Sequence, residues 1–236
     1  MDIARKQKLV DFANKIDIRF QDFQLLNTAL THPTYVFEHT KANLESNQRL
    51  EFLGDAVLGM VIAEFLYNTY PYKAEGELTK MRAALVCESS LALLARNLNI
   101  GQYLLLGKGE ELSGGRERPS ILADAFEAVI GALFLQIELL MLKKFIYHIF
   151  SNQISNVEMG NYGDYKTSLQ ELVQQSFDDN VSYVIVEEKG PDHNKSFIAG
   201  VVYKGSTIAM GQGRSKKEAE QKAAQKALED CSWLTK

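Results

Sequence analysis

The first two thirds of the chain carry hydrophobic residues at helical spacing. Apolar side chains recur every three or four residues from residue 5 to residue 152, as one face of an α-helix requires. The longest such stretch follows Asn47 and ends at Tyr70-Pro71, because proline cannot continue the hydrogen-bond ladder of a helix. Residues 107–119 are polar and rich in glycine, which predicts a mobile loop. The pattern therefore predicts an all-helical domain over residues 5–152.

The pattern changes in the last third of the chain. Residues 151–165 lose the apolar periodicity and are rich in Asn, Ser and Gly, which predicts a linker over residues 153–163. Residues 164–232 then follow the order α-β-β-β-α, with three β-rich runs between two helical ones. A module this small needs its helices on one face of the sheet to close a core. The predicted fold class is mainly α, an all-helical domain followed by a small α-β-β-β-α domain.

Composition narrows the class of protein. The chain has 236 residues, of which 46% are hydrophobic and 24% charged, as in a soluble globular protein of one or two domains. Its formal charge of −4 excludes coating of the whole surface by a polyanion, so a nucleic-acid site must be a local patch. Cys87 and Cys231 are far apart and indicate free thiols. The charged N-terminus and the lack of a long apolar span predict a cytoplasmic protein.

Two of the predicted helices each carry a pair of acids on an apolar background. Glu51 and Asp55 are four residues apart, and Asp124 and Glu127 are three apart, so each pair shares one helix face. Like charges in apolar surroundings are unfavourable, and a cation between them would remove the conflict. Oxygen ligands without His or Cys nearby favour Mg²⁺ or Mn²⁺, and such sites typically hydrolyse phosphodiesters. The alternative is two amphipathic helices whose acids face solvent.

The stretch Asn47-Gln-Arg-Leu-Glu-Phe-Leu-Gly-Asp55 closely resembles the signature of the ribonuclease III family. Residues 121–131 resemble the second acidic motif of that family, and segments 75–82 and 106–110 resemble further family segments in the same order. The resemblance continues through the C-terminal module. It implies an endoribonuclease specific for double-stranded RNA. It also implies a Mg²⁺ site, in which Mn²⁺ can substitute, with four carboxylate ligands: Glu51, Asp55, Asp124 and Glu127.

The resemblance also implies roles for single residues. Asp55 and Glu127 correspond to the acids that we expect to be indispensable for in-line attack of water, which leaves 5′-phosphate and 3′-hydroxyl ends with short 3′ overhangs. Phe52 corresponds to an aromatic residue that enters a socket on a second subunit, which implies a homodimer. Glu75 matches an acid near the catalytic valley of the family. Gln48 stands where many members have glutamate, and we expect activity to survive; the alternative is altered substrate choice or a weakened enzyme.

The C-terminal module closely resembles a double-stranded RNA-binding domain. Lys216 and Lys217 open its last helix, where free backbone N–H groups favour a phosphate, although such a start is also typical of an ordinary solvated terminus. The resemblance implies that the first helix meets one minor groove and that the turn holding His193 meets the next. The implied contacts of the first helix are Thr167, Gln170 and Glu171. Many such domains outside the family have a third lysine where Glu220 stands, which predicts weaker stand-alone binding.

Two functions are compatible with these patterns. The first is a Mg²⁺-dependent endoribonuclease that acts as a cytoplasmic homodimer on ribosomal, transfer and messenger RNA precursors, without a membrane partner or a small-molecule cofactor. The second is a catalytically silent protein that binds double-stranded RNA and keeps the helical domain as a dimerisation scaffold. The four acids favour the enzyme, because a silent relative would be free to lose them.

Overall fold

The chain divides into two compact units, Met1–Glu158 and Met159–Lys236. The structure, a computed structural model, describes residues 1–40, 44–158, 165–190 and 195–230 together with Trp233, and gives only the backbone of Ser168 and Gln175. Within these described residues, no helix is both long enough and apolar enough to cross a membrane.

The first unit is helical throughout its described part. Its α-helices are α1 (Ile3–Lys15), α2 (Phe23–Ala29), α3 (Pro33–Glu38), α4 (Gln48–Thr69), α5 (Glu75–Leu85), α6 (Glu88–Asn97), α7 (Lys108–Leu112), α8 (Pro119–Phe134), α9 (Leu139–Ile149) and α10 (Ser151–Glu158). Helix α8 is the centre of the core: it is apolar nearly all round and packs against α4, α6 and α2. The predicted all-helical domain is confirmed.

Residues 153–158, the first part of the predicted linker, belong to α10, and residues 159–163 of that linker lie outside the described residues. Ile154 and Val157 are both buried, and the helix contacts α5 and α9. These two apolar residues stand alone among Asn, Ser and Gln, which is too short a pattern to predict a helix from sequence. Tertiary contact supplies the stability that the local sequence lacks.

The predicted loop at residues 107–119 also has more structure than its composition indicated. It contains α7 and a short 3₁₀ turn at Gly115–Glu117. Two ion pairs join the segment internally: Arg116 to Glu111, and Arg118 to Glu110. The segment therefore has a defined conformation up to the start of α8.

The second unit has the predicted α-β-β-β-α order, which is confirmed. Its elements are α11 (Tyr165–Phe177), β1 (Ser182–Lys189), β2 (Ser196–Tyr203), β3 (Ser206–Gly213) and α12 (Lys216–Glu229). The strands form an antiparallel sheet in the order β1-β2-β3, and β2 turns into β3 through Lys204 and Gly205, which both have positive φ as a two-residue hairpin turn requires. Helix α12 packs against β2, β3 and α11. Trp233 covers the resulting core.

Candidate metal centre and nucleic-acid interface

Helices α4 and α8 approach each other so closely that their backbones touch. A Cβ atom added at Gly54 would lie 1.8 Å from the carbonyl oxygen of Glu127, and one added at Gly131 would lie 2.2 Å from the carbonyl oxygen of Leu50. Real Cβ atoms do not come this near to backbone oxygens. Glycine at both positions is therefore what brings the acid-bearing faces of the two helices together.

Three of the four predicted metal ligands converge at this crossing. One carboxylate oxygen each of Glu51, Asp124 and Glu127 lies within 4.8 Å of the other two, and all three side chains are partly buried. Asp55 is not in this group; it lies one helical turn after Glu51 on α4 and is exposed to solvent. Oxygen atoms this close, without a lysine or arginine paired to them among the described ion pairs, suit a hard divalent cation.

Burial raises the pKa values of the three acids of the centre. Burial raises the pKa of Glu127 to about 8, and the negative charges of Asp55, Asp124 and Glu51 add to that effect. Burial likewise raises the pKa of Glu51, with further contributions from Asp124 and Asp55. The pKa of Asp124 is raised by burial and, more weakly, by Glu88, while His32 opposes the shift. A bound cation would replace this mutual repulsion with attraction.

His32 belongs to the surroundings of the centre and was not predicted from the sequence. Its Nδ1 accepts the backbone N–H of Thr34 at 3.3 Å, which caps the start of α3. Burial lowers the pKa of His32, whereas the charges of Glu110 and Asp124 raise it. His32 and Asp124 are 92 residues apart in the chain, so no local pattern could have joined them. Glu88, at the start of α6, was missed for the same reason.

Phe52 lies outside the core, although it is flanked by buried residues. Its side chain is 80% exposed, and Met60 and Tyr67 are also exposed at helical spacing along the same α4 face. Such an apolar face indicates a surface that packs against another molecule. Gln48 and Glu75 are exposed as well: Gln48 accepts a hydrogen bond from Ser46 at 3.3 Å, and Glu75 accepts one from Thr79 at 2.9 Å.

The predicted RNA contacts of the first helix in the second unit differ in exposure. Thr167 and Glu171 are exposed on α11. Gln170 is partly buried and holds the loop before β1: its amide oxygen accepts the N–H of Val181 at 3.1 Å and its amide nitrogen donates to Asn180 at 2.6 Å. Contact of Gln170 with RNA stays a prediction.

The predicted phosphate-binding lysines occupy the first turn of α12. Lys216 and Lys217 are exposed, and Ser215 caps the helix by accepting the N–H of Glu218 at 3.1 Å. The Lys216 ammonium group also lies 5.8 Å from the centre of the Phe197 ring. Predicted contact His193 lies outside the described residues.

Comparisons with known proteins agree with this arrangement. Residues 22–154 match the family model described as ribonuclease-III-like, and residues 165–230 match the double-stranded RNA binding motif. A ribonuclease 3 from Syntrophomonas wolfei subsp. wolfei is 57% identical over 219 residues, which is 93% of this chain and 93% of the relative. A ribonuclease 3 from Geobacillus thermodenitrificans is 49% identical over 225 residues, 95% of this chain and 92% of the relative.

The first unit also resembles a solved structure. The nuclease domain of ribonuclease III from Campylobacter jejuni is 41% identical, with a TM-score of 0.56, over 60% of this chain and 94% of that one. That structure concerns flexibility in a region involved in dimer formation of the nuclease domain. With a nuclease domain and a double-stranded RNA-binding domain in this order, the chain belongs to the ribonuclease III family of double-strand-specific endoribonucleases.

Proposed function

We propose that this chain is a Mg²⁺-dependent endoribonuclease that leaves 5′-phosphate and 3′-hydroxyl ends with short 3′ overhangs in double-stranded RNA. Its proposed substrates are ribosomal, transfer and messenger RNA precursors. The observation that carries the proposal is the convergence of Glu51, Asp124 and Glu127 from two helices to within 4.8 Å. The close glycine contacts between α4 and α8 bring Glu51 of one helix to Asp124 and Glu127 of the other.

These three acids would hold the cation. Carboxylate oxygens suit Mg²⁺, and Mn²⁺ accepts the same ligands. When bound, the metal supplies charge neutralisation at the phosphate and activation of the attacking water. The protein's own contribution is to keep the ligand oxygens in place on two rigid helices, and to give up the proton that Glu127 retains in the metal-free protein.

Asp55 is proposed to act beside the three converging acids. Its side chain is exposed on α4 and so is accessible to an RNA strand, and its charge contributes to the raised pKa of both Glu51 and Glu127. From there the carboxylate can complete the ligand set or orient the water that attacks the phosphorus. Asp55 and Glu127 are the two acids that we expect to be indispensable.

The active form is proposed to be a homodimer that cuts both strands of one duplex. The exposed α4 face with Phe52, Met60 and Tyr67 supports this assembly, with Phe52 entering the partner subunit. Each subunit would supply one catalytic centre. The Campylobacter jejuni relative has a region involved in dimer formation in its nuclease domain.

The second unit is proposed to hold the duplex while the first unit cuts it. Lys216 and Lys217 join the free N–H groups at the start of α12, which is a favourable place for phosphate. Thr167, Gln170 and Glu171 on α11, with His193, are the proposed minor-groove contacts. No small-molecule cofactor is part of the proposal, and the proposed location is the cytoplasm, where the free, exposed thiol of Cys87 would remain reduced.

The direct test is cleavage of a long RNA duplex by the wild-type protein and an Asp124→Asn variant in Mg²⁺. We expect wild type to cut and the variant to lose activity by more than about 100-fold, because the loss of a metal ligand costs more than the 10–100-fold typical of its outer neighbours. Asp11→Asn is the matched control: Asp11 lies on α1, is exposed and accepts a hydrogen bond from Gln7 of the same helix at 2.9 Å. This control should keep wild-type activity.

The ends of the products and the effect of a chelator complete the test. End mapping should give 5′-phosphates and short 3′ overhangs. EDTA should stop cleavage but leave binding to RNA, because only the carboxylate centre needs the metal. If wild type binds the duplex but cuts in neither Mg²⁺ nor Mn²⁺, the protein is the silent RNA-binding scaffold instead.

A further inference from the structure

Lys166, in the first turn of α11, is held by two other elements of the second unit. Its ammonium nitrogen lies 2.6 Å from a carboxylate oxygen of Glu220 on α12 and 4.4 Å from the centre of the Tyr183 ring on β1. Its backbone N–H donates to the amide oxygen of Gln221 at 3.1 Å. The charged groups are well shielded, with 34% of the Lys166 side chain and 22% of the Glu220 side chain exposed.

Glu220 stands where it could instead neutralise the lysines at the start of α12. It follows Lys216 by four residues and Lys217 by three, and these are the spacings at which side chains meet on a helix surface. In the described part of the chain, however, the ion pair of Glu220 is with Lys166, and neither Lys216 nor Lys217 has an ion-pair partner. The Glu220 carboxylate therefore contacts α11 and not the start of its own helix.

The neighbouring acid of α12 is engaged elsewhere in a similar way. Glu218 pairs with Lys222 at 2.7 Å and accepts the backbone N–H of Arg214 at 2.8 Å. Both acids that follow the two lysines are thus occupied by other groups. The positive charge of Lys216 and Lys217 is left for an external anion.

We propose that Lys166 is a positioning residue for duplex RNA, which draws Glu220 away from Lys216 and Lys217 and so keeps both lysines available for phosphates. This inference rests on the proposed RNA-binding role of the second unit. Without Lys166, Glu220 would turn toward the start of its own helix and neutralise one of the two cations.

The same contacts set the distance between two RNA-binding elements. Gln221 holds the backbone of the first turn of α11, and that helix carries Thr167 and Glu171. A domain of this type reads the shape of A-form RNA by contacting a minor groove and the phosphates across the adjoining major groove. The spacing of α11 and the start of α12 therefore has to match the duplex, and the pair of Lys166 with Glu220 supports that spacing.

The experiment measures binding of the full chain to a short RNA duplex in EDTA over a range of salt concentrations. The variants are Lys166→Met, Glu220→Gln and the double variant, with Lys166→Arg as the conservative replacement. Lys226→Met is the matched control, because it removes one exposed lysine from the distal half of α12, outside the predicted RNA contacts. Thermal unfolding followed by the fluorescence of Trp233, the single tryptophan, shows that each variant is folded.

We expect Lys166→Met to bind more weakly and to lose about one unit of the slope of log affinity against log salt, the equivalent of one phosphate contact. Glu220→Gln should show no loss of slope, and the double variant should recover the wild-type slope because the acid is gone. Lys166→Arg and Lys226→Met should behave like wild type.

Two results would overturn the inference. If the double variant stays as weak as Lys166→Met, Lys166 is itself a phosphate ligand and not a positioning residue. A lower slope for Glu220→Gln, which retains Lys166, would contradict the inference as well. Failure of the wild-type chain to bind the duplex is a different outcome, since it removes the proposed function and this inference with it.

Discussion

Gly131 of α8 lies directly against Gly54 of α4: a Cβ atom added to Gly131 would be 3.2 Å from the backbone nitrogen of Gly54. At the same crossing, a Cβ added to Gly54 would collide with the Glu127 carbonyl group. The two glycines thus determine how near the acids of one helix come to those of the other. The packing of the two helices and the geometry of the proposed metal centre therefore depend on the same contact.

Replacing either glycine should damage both stability and activity. Gly54→Ala and Gly131→Ala should each lower the free energy of unfolding by more than about 3 kcal/mol, because the clash is with backbone atoms that cannot rotate away. Urea unfolding and RNA cleavage measure the two effects. Gly76→Ala is the control: Gly76 is exposed in the first turn of α5 with nothing within 4 Å of the added atom, so this change should be neutral or stabilise by up to about 1 kcal/mol.

The stability of the metal-free protein should fall as pH rises toward 8. The pKa of Glu127 is raised from 4.5 to about 8 in the folded protein, so between these values the folded state binds more protons than the unfolded state. The contribution of Glu127 to the free energy of unfolding is therefore fully present below about pH 4.5 and is lost as the pH rises to about 8. Thermal unfolding in EDTA at several pH values measures the slope.

Two comparisons test whether Glu127 is the cause. Glu127→Gln should flatten the pH dependence in this window. Glu64→Gln, which changes an exposed α4 side chain paired with Lys143, should leave it unchanged. Added Mg²⁺ should stabilise wild type more strongly at high pH than at low pH, because protons compete with the cation for Glu127. A pH profile that is identical in wild type and Glu127→Gln would contradict the assignment.

Phe52→Ala should weaken the proposed homodimer. Burial of a phenylalanine side chain stabilises by about 1.5–3 kcal/mol, and a twofold interface loses two of them, so the dissociation constant should rise by about 100-fold or more. Sedimentation velocity at several concentrations measures this shift. The control is Ile3→Ala, which removes another highly exposed apolar side chain, on α1. Unchanged dimerisation of Phe52→Ala would show that the exposed α4 face serves another purpose.

Trp233→Ala should destabilise the second unit. The Trp233 ring packs against Tyr203 with ring centroids 5.5 Å apart, and its indole N–H donates to the carbonyl oxygen of Ala227 at 2.6 Å. Removal of a buried tryptophan costs about 3–5 kcal/mol. We expect lower thermal stability of this unit by circular dichroism and weaker RNA binding, while Trp233→Phe keeps most of both. Wild-type stability in Trp233→Ala would mean that the residue does not close the core.

The two pairs of acids could be predicted from the sequence because each pair lies within about one helical turn. Glu51 and Asp55 share a helix face by their spacing alone, as do Asp124 and Glu127, and proline and glycine mark several of the helix ends. The α-β-β-β-α order of the second unit was equally local, since strands and helices differ in their hydrophobic period. The helix over residues 153–158 was not predicted, because two apolar residues are too few to show helical periodicity.

Relations between distant segments were decided only by the tertiary structure. Packing through Gly54 and Gly131 brings three of the four acids together, while Asp55 is exposed. The fold also brings His32, at the start of α3, within electrostatic reach of Asp124. Folding of the second unit joins Gln170 to the loop before β1 and gives Glu220 a partner on another helix. The physical reason is that periodicity reports which side of an element is buried, whereas distances between elements depend on how closely their backbones can pack. The sequence by itself determined which acidic side chains each helix carries and which face they share. The crossing of α4 and α8 decided which of those side chains lie close together.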